Sequence, residues 1–299
     1  RDRKILNWEP KVTFEELAKM MTDADMKIAE NEKVDCIIIG GDIIPHYLPD
    51  TQKVGVLKAQ EIYLRDIFIP AIKEFRKQRD IPIYLDFAND DFIGNRYILE
   101  NHDGKLLSLL HMRKHKLTDH VDIIGYMNVP PTPFTRKDWE KPDSVEVPFA
   151  KGNPIRLDGY TSHSGRLEET FINLASDDTI EKDLAQLSKI ITRPFIFVSH
   201  SPPYFTPLDM LDNGLHVGSI SIKQFIEKWS NKDQLIVSLH GHIHESPNRS
   251  GSIRSFSGNT MCINPGQNEG RGSSLRYVIL ELADQEPPPR ISIIYEPKQ

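Results

Sequence analysis

The chain has 299 residues, of which 38% are hydrophobic and 27% charged, and its formal net charge is −6. This composition is ordinary for a globular protein with a sizeable core, organised as one large α/β domain or two ordinary ones. The negative charge argues against a broad nucleic-acid surface, which needs clustered Lys and Arg, but it does not exclude a local site for an anionic substrate. No window approaches the length of a membrane span and the N-terminus lacks the apolar centre of a signal peptide, so we expect a cytoplasmic protein.

The first half of the chain alternates predicted helices and strands. Thr13 with Glu16 forms a capping-box pattern that predicts a helix to about Asn31. The near-continuous apolar run over 34–42 then predicts a strand buried on both faces. The same reasoning predicts a helix over 56–77, a strand over 81–87, a helix near 105–114 and a strand over 121–129.

The second half begins with a segment that has little periodicity. Residues 130–178 are rich in Pro, Gly, Ser and Thr, and we interpret them as a long loop or insertion over the sheet. Regular patterns then return and predict a helix over 178–191, a strand over 193–203, a helix over 220–229, a strand over 235–240 and antiparallel strands in the tail after residue 251. Alternating strands and helices predict an α/β fold with a mainly parallel sheet, in a single domain over 1–299.

Polar side chains follow four of the predicted strands: Asp42, Asn89, His200, and the pair His242 and His244. The carboxyl ends of strands are where an open α/β sheet places its ligands. Nitrogen and oxygen donors of this kind bind Zn, Mn, Fe, Co or Ni, and no thiolate is among them. Two cations about 3.5 to 4 Å apart can activate a bridging water for attack on phosphorus. The set therefore indicates phosphoester hydrolysis.

The motifs that carry these residues resemble the calcineurin-like metallophosphoesterase superfamily, whose pattern is D-x-H, GD, GNH-D/E, H and GH-x-H. In this chain GGD stands at 40–42, ANDD at 88–91, VSHSPP around His200, GHIH at 241–244 and NPG at 264–266. The match extends in family order over nearly the whole chain. The stretch VPPTPFTRKDWE further resembles small uncharacterised prokaryotic members of the superfamily.

The resemblance implies a layered α/β sandwich of mixed, mainly parallel sheets flanked by helices. It implies that Asp42 bridges two divalent transition-metal ions, with manganese favoured among Mn, Fe, Zn, Co and Ni. Asn89, His200 and His242 would complete one metal's ligands, and His244 would belong to the other metal. A hydroxide that bridges the two ions would then attack the phosphorus of a small phosphoester substrate.

Two departures from the family pattern are visible. No D-x-H precedes the first predicted helix, and the sequence begins at Arg1, so we expect that the first strand is missing from it. The alternative is that one metal keeps only Asp42 and His244. In addition, Asp90 stands where the family has a His that protonates the leaving oxygen. A carboxyl group donates a proton at neutral pH only if burial or a negative neighbour such as Asp91 raises its pKa.

The candidate catalytic residues are thus Asp90, Asn89 and His200. Because Asp90 is a poorer proton donor than the His of the family pattern, we expect substrates with good leaving groups, and we slightly favour phosphodiesters. His46 and His216 are further candidates for contacts with the substrate. Each of these residues, taken alone, could equally be an ordinary turn or strand-end residue. The assignment to a site depends on the order of the motifs. The rival hypothesis is a catalytically impaired scaffold or binding protein of the same fold, and the oligomeric state stays open.

Overall fold

The computed structural model of the protein describes residues 33–45, 48, 51–163, 165–267, 276–283 and 290–295. The predicted helix over 13–31 lies outside the described residues. No helix in these ranges has the length and apolar character needed to cross a membrane. The elements are β1 (Ile37–Ile38), α1 (Thr51–Val54), α2 (Val56–Tyr63), α3 (Ile69–Gln78), β2 (Ile83–Leu85), α4 (Tyr97–Glu100), β3 (Ser108–Leu109), β4 (Arg113–Lys116), β5 (Asp122–Tyr126), β6 (Asp158–His163), β7 (Arg166–Phe171), α5 (Ile180–Leu187), β8 (Phe195–Ser199), α6 (Ile220–Ser230), β9 (Leu235–His240), α7 (Ser246–Ser250), β10 (Arg254–Ser257), β11 (Thr260–Ile263), β12 (Ile279–Ala283) and β13 (Arg290–Tyr295).

The architecture is mixed α/β, with a mainly parallel six-stranded sheet in the order β10-β11-β9-β8-β5-β4. Its strands β11, β9, β8 and β5 run parallel to one another, whereas β10 and β4 are antiparallel edge strands. A second, fully parallel sheet has the order β1-β2-β3. The pairs β6-β7 and β12-β13 form separate antiparallel ribbons. Within the described ranges no sheet closes into a barrel.

The central strands β5, β8 and β9 of the large sheet carry apolar residues on both faces, and each face contributes to a different core. On β8, Ile196 and Val198 pack in the cluster that includes β2 and α3, whereas Phe195 and Phe197 pack against the other side. That second cluster contains the apolar faces of α5 and α6, including Leu184 on α5. Alternate residues of a strand point to opposite faces, so a continuous apolar run is what a central strand covered on both sides requires.

The helix predicted over 56–77 is confirmed, with an irregularity in its middle. Residues Leu64–Phe68 form a π-helical turn between α2 and α3, and the backbone stays helical at both junctions. Leu64 and Phe68 are buried within that turn. Burial thus continues through the turn, from Tyr63 on α2 to Ile69 on α3.

The helix predicted near 105–114 is wrong, because these residues form β3 and β4 instead. Leu109 pairs with Leu85 of β2, and Arg113–Lys116 pairs with β5 in antiparallel register. Leu107, Leu109 and Leu110 are all buried in the core between the sheets. Burial of nearly consecutive leucines on strand pairings outweighs their intrinsic helix propensity.

Two further predictions need refinement. The segment over 130–178 is not wholly irregular, since β6 and β7 form a hairpin with His163 opposite Arg166. The antiparallel strands predicted in the tail are present as β10-β11 and β12-β13, but β11 also joins the large sheet parallel to β9. Local alternation identifies such strands and does not show which neighbour each one pairs with.

The ring of His111 lies in the core, with centroids 5.4 Å from Tyr126 and 5.1 Å from Trp139. Its Nδ1 accepts a hydrogen bond from the Met127 N–H at 3.0 Å, which requires an unprotonated nitrogen. Burial lowers the pKa of His111 from 6.5 to about 4. The histidine is therefore neutral in the folded protein at neutral pH.

We expect His111 to make the protein less stable as the pH falls from about 6.5 towards 4. In this window the unfolded chain binds the proton and the folded chain does not, so stability decreases with decreasing pH. Between pH 7 and pH 5 the loss from this residue should be about 1–2 kcal/mol. Denaturant unfolding at both pH values, compared with His111→Gln, measures it. An equal loss in the variant would contradict the assignment.

Candidate metal centre

Strand ends from the two sheets meet at one place. Asp42 follows β1, His200 follows β8 and His242 follows β9. One ligand atom from each of these three side chains lies within 4.8 Å of the others, and His200 is 1% exposed. Asn89, from the loop after β2, adds a carbonyl oxygen to the same cluster. Parallel strands in each sheet thus deliver four of the five proposed ligands to a common edge.

The ring of His200 has a defined orientation. Its Nδ1–H donates to the Gly40 carbonyl at 2.7 Å. Its Nε2 lies 3.0 Å from Asp42 Oδ2 and 3.0 Å from Asn89 Oδ1. A metal-binding histidine typically donates its other ring N–H to a carbonyl or carboxylate, which fixes the tautomer. With the Nδ1 proton held by the Gly40 carbonyl, Nε2 is the ring atom that would bind a divalent cation together with the two oxygens.

The charges of this cluster are strongly coupled. Burial opposes ionisation of Asp42, but the neighbouring His200 ring outweighs burial and lowers the pKa of the carboxyl well below its usual range. Burial likewise opposes protonation of His200, yet Asp42 raises the pKa of that ring. Burial and then His200 lower the pKa of His242 to about 3. The site therefore contains an ionised Asp42 and a neutral His242, the protonation states that metal binding requires.

Two of the proposed ligands have an unusual backbone conformation. Asp42 has φ 50° and His242 has φ 66°, in the left-handed region that side-chain-bearing residues rarely adopt. His242 is the central residue of a tight turn closed by the Ile243 N–H and the Gly241 carbonyl at 2.8 Å. Residues held in such strained conformations cluster at functional sites, where the surrounding structure enforces them.

Asp91 holds the loops of the small sheet together. Its buried carboxylate accepts hydrogen bonds from the backbone N–H groups of Ile43, Ile44 and Ala88 at 3.0–3.1 Å. Burial and the nearby Asp42 raise its pKa well above the usual value for an aspartate. The backbone N–H of Asp90 donates to Asp42 Oδ1 at 2.9 Å. These contacts fix the loop after β1 against the loop after β2.

The side chain of Asp90 is paired with Arg136. Arg136 Nη1 donates to Asp90 Oδ1 at 2.7 Å and to the Asp90 carbonyl at 3.0 Å. The guanidinium lies 5.7 Å from the centre of the Phe92 ring. Sequence reasoning missed Arg136 as a site residue, although it lies in the VPPTPFTRKDWE stretch that carries part of the family resemblance.

The segment that carries Arg136 is anchored to the site. The indole N–H of Trp139 donates to the Asp91 carbonyl at 3.0 Å, and Asp138 accepts from the Ile93 N–H at 2.9 Å. The Lys137 N–H donates to the Tyr160 carbonyl of β6 at 2.9 Å. The irregular segment after residue 130 is therefore a strap that positions a guanidinium beside the cluster.

The other proposed site residues have different outcomes. The His244 ring is not part of the three-residue group, but it is close enough to His242 to lower its pKa. His216 lies in the loop after β8 and contacts Asp209 through Nδ1 at 2.7 Å. His46 lies outside the described residues.

Asn264, from the NPG motif, supports the GHIH loop. Its side-chain NH₂ lies within 3.1 Å of the Gly241 and Ile243 carbonyls.

No known family model matches the chain. The uncharacterised protein MJ1162 of Methanocaldococcus jannaschii is 33% identical over 201 residues, which cover 66% of this chain and 81% of that protein. This chain belongs to the same family as MJ1162. The crystal structure of TT1561 of Thermus thermophilus has a TM-score of 0.48 and 14% identity, over 84% of this chain and 82% of that one. A second crystal structure has a TM-score of 0.49 and 12% identity, over 83% and 85% of the two chains.

We expect Gly41→Ala to disrupt the centre. Gly41 has φ 107°, and a Cβ there would lie 2.6 Å from both Ala88 Cβ and His200 Nδ1. The methyl group would displace the His200 ring from the Gly40 carbonyl. Gly152→Ala is a matched control, because Gly152 also has a positive φ, 90°, but nothing lies within 4 Å.

Denaturant unfolding and manganese titration calorimetry of both variants provide the test. Gly41→Ala should cost about 1–3 kcal/mol more than Gly152→Ala and should also weaken manganese binding. Equal stability losses, with unchanged metal affinity in both variants, would show that Gly41 has no special role at the site.

Proposed function

We propose that this protein is a metal-dependent phosphoesterase of the calcineurin-like metallophosphoesterase superfamily. The observation that carries the proposal is the arrangement around His200 Nε2. Asp42 Oδ2 and Asn89 Oδ1 each lie 3.0 Å from this nitrogen, and the Gly40 carbonyl takes the proton of Nδ1. Without a metal ion, Asp42 favours a protonated His200 that donates through Nε2, and a bound cation would take the place of that proton between the three donor atoms.

The donor set supports a divalent transition metal, with manganese our first choice among Mn, Fe, Zn, Co and Ni. Asp42, Asn89, His200 and His242 would hold one ion, and we propose that His244 and Asp42 contribute to a second. When bound, such ions would supply Lewis-acid polarisation of the phosphoryl group and activation of water. We also propose that the fold of this chain is the layered α/β sandwich of the superfamily.

Arg136 gives the site a cation that is not a metal ligand. Its Nη1 makes both hydrogen bonds to Asp90. Among the described residues no hydrogen bond engages Nε or Nη2, so these atoms are available to a substrate. A guanidinium recognises the non-bridging oxygens of a phosphoester through paired N–H groups. We therefore assign substrate binding to Arg136, with Asp90 as the residue that positions it.

This assignment also bears on the leaving group. The Asp90 carboxyl oxygen Oδ1 already accepts a hydrogen bond from Arg136 Nη1 at 2.7 Å, so this side chain is engaged in positioning the guanidinium. General-acid catalysis by Asp90 is thus the weaker part of the proposal. Substrates with good leaving groups are favoured, and phosphodiesters slightly more than monoesters. The rival, a catalytically impaired binding protein of the same fold, draws its support from the same pair.

His200→Ala and His242→Ala should each lower manganese affinity and phosphodiesterase activity together. Each change removes a proposed ligand, and loss of a ligand typically reduces activity by orders of magnitude when metal binding fails. Activity on bis(p-nitrophenyl) phosphate and manganese content by elemental analysis are measured on the same preparations.

His163→Ala is the control, because His163 is an exposed histidine on β6, outside the cluster. It should retain both metal and activity. Wild-type metal content and activity in both His200→Ala and His242→Ala would refute the site. Retained metal without activity in the wild-type protein would instead favour the binding-protein hypothesis.

Arg136→Ala should reduce kcat/KM for phosphodiesters about 10- to 100-fold, the effect of losing a charge-assisted hydrogen bond. Arg136→Lys should recover part of the loss because it keeps the charge but not the paired geometry. Manganese content should not change in either variant. Arg65→Ala is the control, since Arg65 is half exposed in the π-helical turn between α2 and α3. Steady-state kinetics with unchanged kcat/KM in Arg136→Ala would contradict the assignment.

A further inference from the structure

We propose that the loop over 201–219 carries a stacking site for a planar aromatic group of the phosphoester substrate. The site consists of the rings of Tyr204, Phe205 and His216, which we call the aromatic platform. This inference rests on the proposed function, because it concerns the part of the substrate that lies beyond the phosphoryl group.

The three rings form a compact cluster. The centroids of Phe205 and His216 are 4.7 Å apart, and Tyr204 lies 6.0 Å from Phe205 and 6.5 Å from His216. These separations are those of interacting aromatic side chains. Phe205 is nevertheless 66% exposed. Its ring thus packs against His216 with an interplanar angle of 50° and leaves a large apolar surface to solvent.

The exposed Phe205 has an energetically unfavourable backbone conformation. Its φ is 58°, which is unfavourable for any residue with a Cβ. The buried carboxylate of Asp209 enforces it by accepting hydrogen bonds from the N–H groups of Phe205, Thr206 and Gly218 at 2.9–3.0 Å. A strained and exposed aromatic residue contributes little to stability, so its placement points to a ligand.

The same carboxylate orients His216. Nδ1 of this ring lies 2.7 Å from Asp209 Oδ1, so Nδ1 carries the proton that it donates to the carboxylate. Nε2 is then the ring nitrogen that remains for a ligand. Asp209 therefore fixes both an apolar ring face and a hydrogen-bonding nitrogen in one rigid arrangement. An apolar face with one polar group is suited to a nucleobase or to a substituted aryl ring.

The aromatic platform is attached to the metal-binding loops. The chain from His200 to Phe205 spans at most about 17 Å even when fully extended. Within this loop the Ser219 N–H donates to the Pro202 carbonyl at 3.0 Å. The Asn264 side-chain NH₂ lies 3.1 Å from both the Leu208 carbonyl and the Gly241 carbonyl. These contacts fix the platform relative to the loop that contains His242, no more than about 17 Å along the chain from His200.

A small-molecule ligand fits this surface better than a protein partner does. The exposed surface area of three rings is far smaller than the roughly 800 Å² that each partner contributes to a stable protein interface. Stacking of a base on an aromatic side chain, by contrast, needs only one exposed ring and contributes substantially to affinity. The substrate class we infer is therefore nucleoside or aryl phosphodiesters.

The test uses three diesters that share the p-nitrophenolate leaving group and differ in the other ester group: methyl, phenyl and thymidine 5′-yl. Because the leaving group is constant, differences in KM report contacts with the variable group. The full-length, manganese-loaded protein should show the highest KM with the methyl ester. Phe205→Ala should raise KM for the phenyl or thymidine ester about 5- to 100-fold and leave the methyl ester unchanged. The order of the two aromatic esters distinguishes an aryl site from a nucleoside site.

Two further variants separate stacking at Phe205 from a general effect of losing an exposed ring and from unfolding. Phe256→Ala is the matched control, because Phe256 is 65% exposed on β10 outside this loop, and it should behave as the wild type. Phe205→Gly relieves the backbone strain, so its thermal midpoint should rise by about 2 °C while the preference for aromatic esters is lost. Loss of selectivity in a more stable protein excludes unfolding as the cause.

Calorimetric titration with adenosine 5′-monophosphate separates this inference from the proposed function. Binding that Phe205→Ala weakens supports the platform even if no diester is hydrolysed, an outcome that would defeat only the phosphoesterase proposal. Equal KM values for the three diesters that Phe205→Ala leaves unchanged, with hydrolysis intact, would overturn the platform and leave the phosphoesterase proposal standing.

Discussion

The hydrogen bond from His200 Nδ1–H to the Gly40 carbonyl is the contact on which the candidate metal centre depends. Gly40 follows β1 of the small sheet, and His200 follows β8 of the large sheet. The bond at 2.7 Å therefore joins the two layers at their strand ends and fixes the tautomer of the ring. With that ring fixed, Nε2 can only face Asp42 and Asn89. A displacement of either sheet would dismantle the donor set.

The centre combines buried charge with backbone strain, and both require support from elsewhere in the fold. Asp91 binds three backbone N–H groups around it, and Asn264 supports the turn that contains His242. Strain at Asp42 and His242 persists because these contacts over-determine the loops. A cation would offset the remaining cost, since it would pair with the carboxylate and with the lone pairs of the two imidazoles. A metal ion bound there would therefore also contribute to stability.

The sequence anticipated the parts of the molecule that depend on local pattern. Strand ends with polar residues were recognised because a buried apolar run followed by Gly and Asp is informative by itself, and Asp42, Asn89, His200 and His242 do come together. Arg136 and Asp209 were missed because their importance lies in long-range contacts, with Asp90 and with the backbone of Phe205. Local periodicity predicts a helix for the leucines near residue 109, because it does not show that these residues are buried by pairing with a neighbouring strand. The hydrolytic reaction itself stays a prediction.

The most direct test of the account is the metal stoichiometry of the full-length protein. Purified protein would be equilibrated with manganese, freed of loosely bound metal and analysed by elemental mass spectrometry. The account predicts about two ions per chain, as a dinuclear phosphoesterase requires. One ion would contradict the dinuclear centre, and none would contradict the assignment of Asp42, Asn89, His200 and His242 as metal ligands.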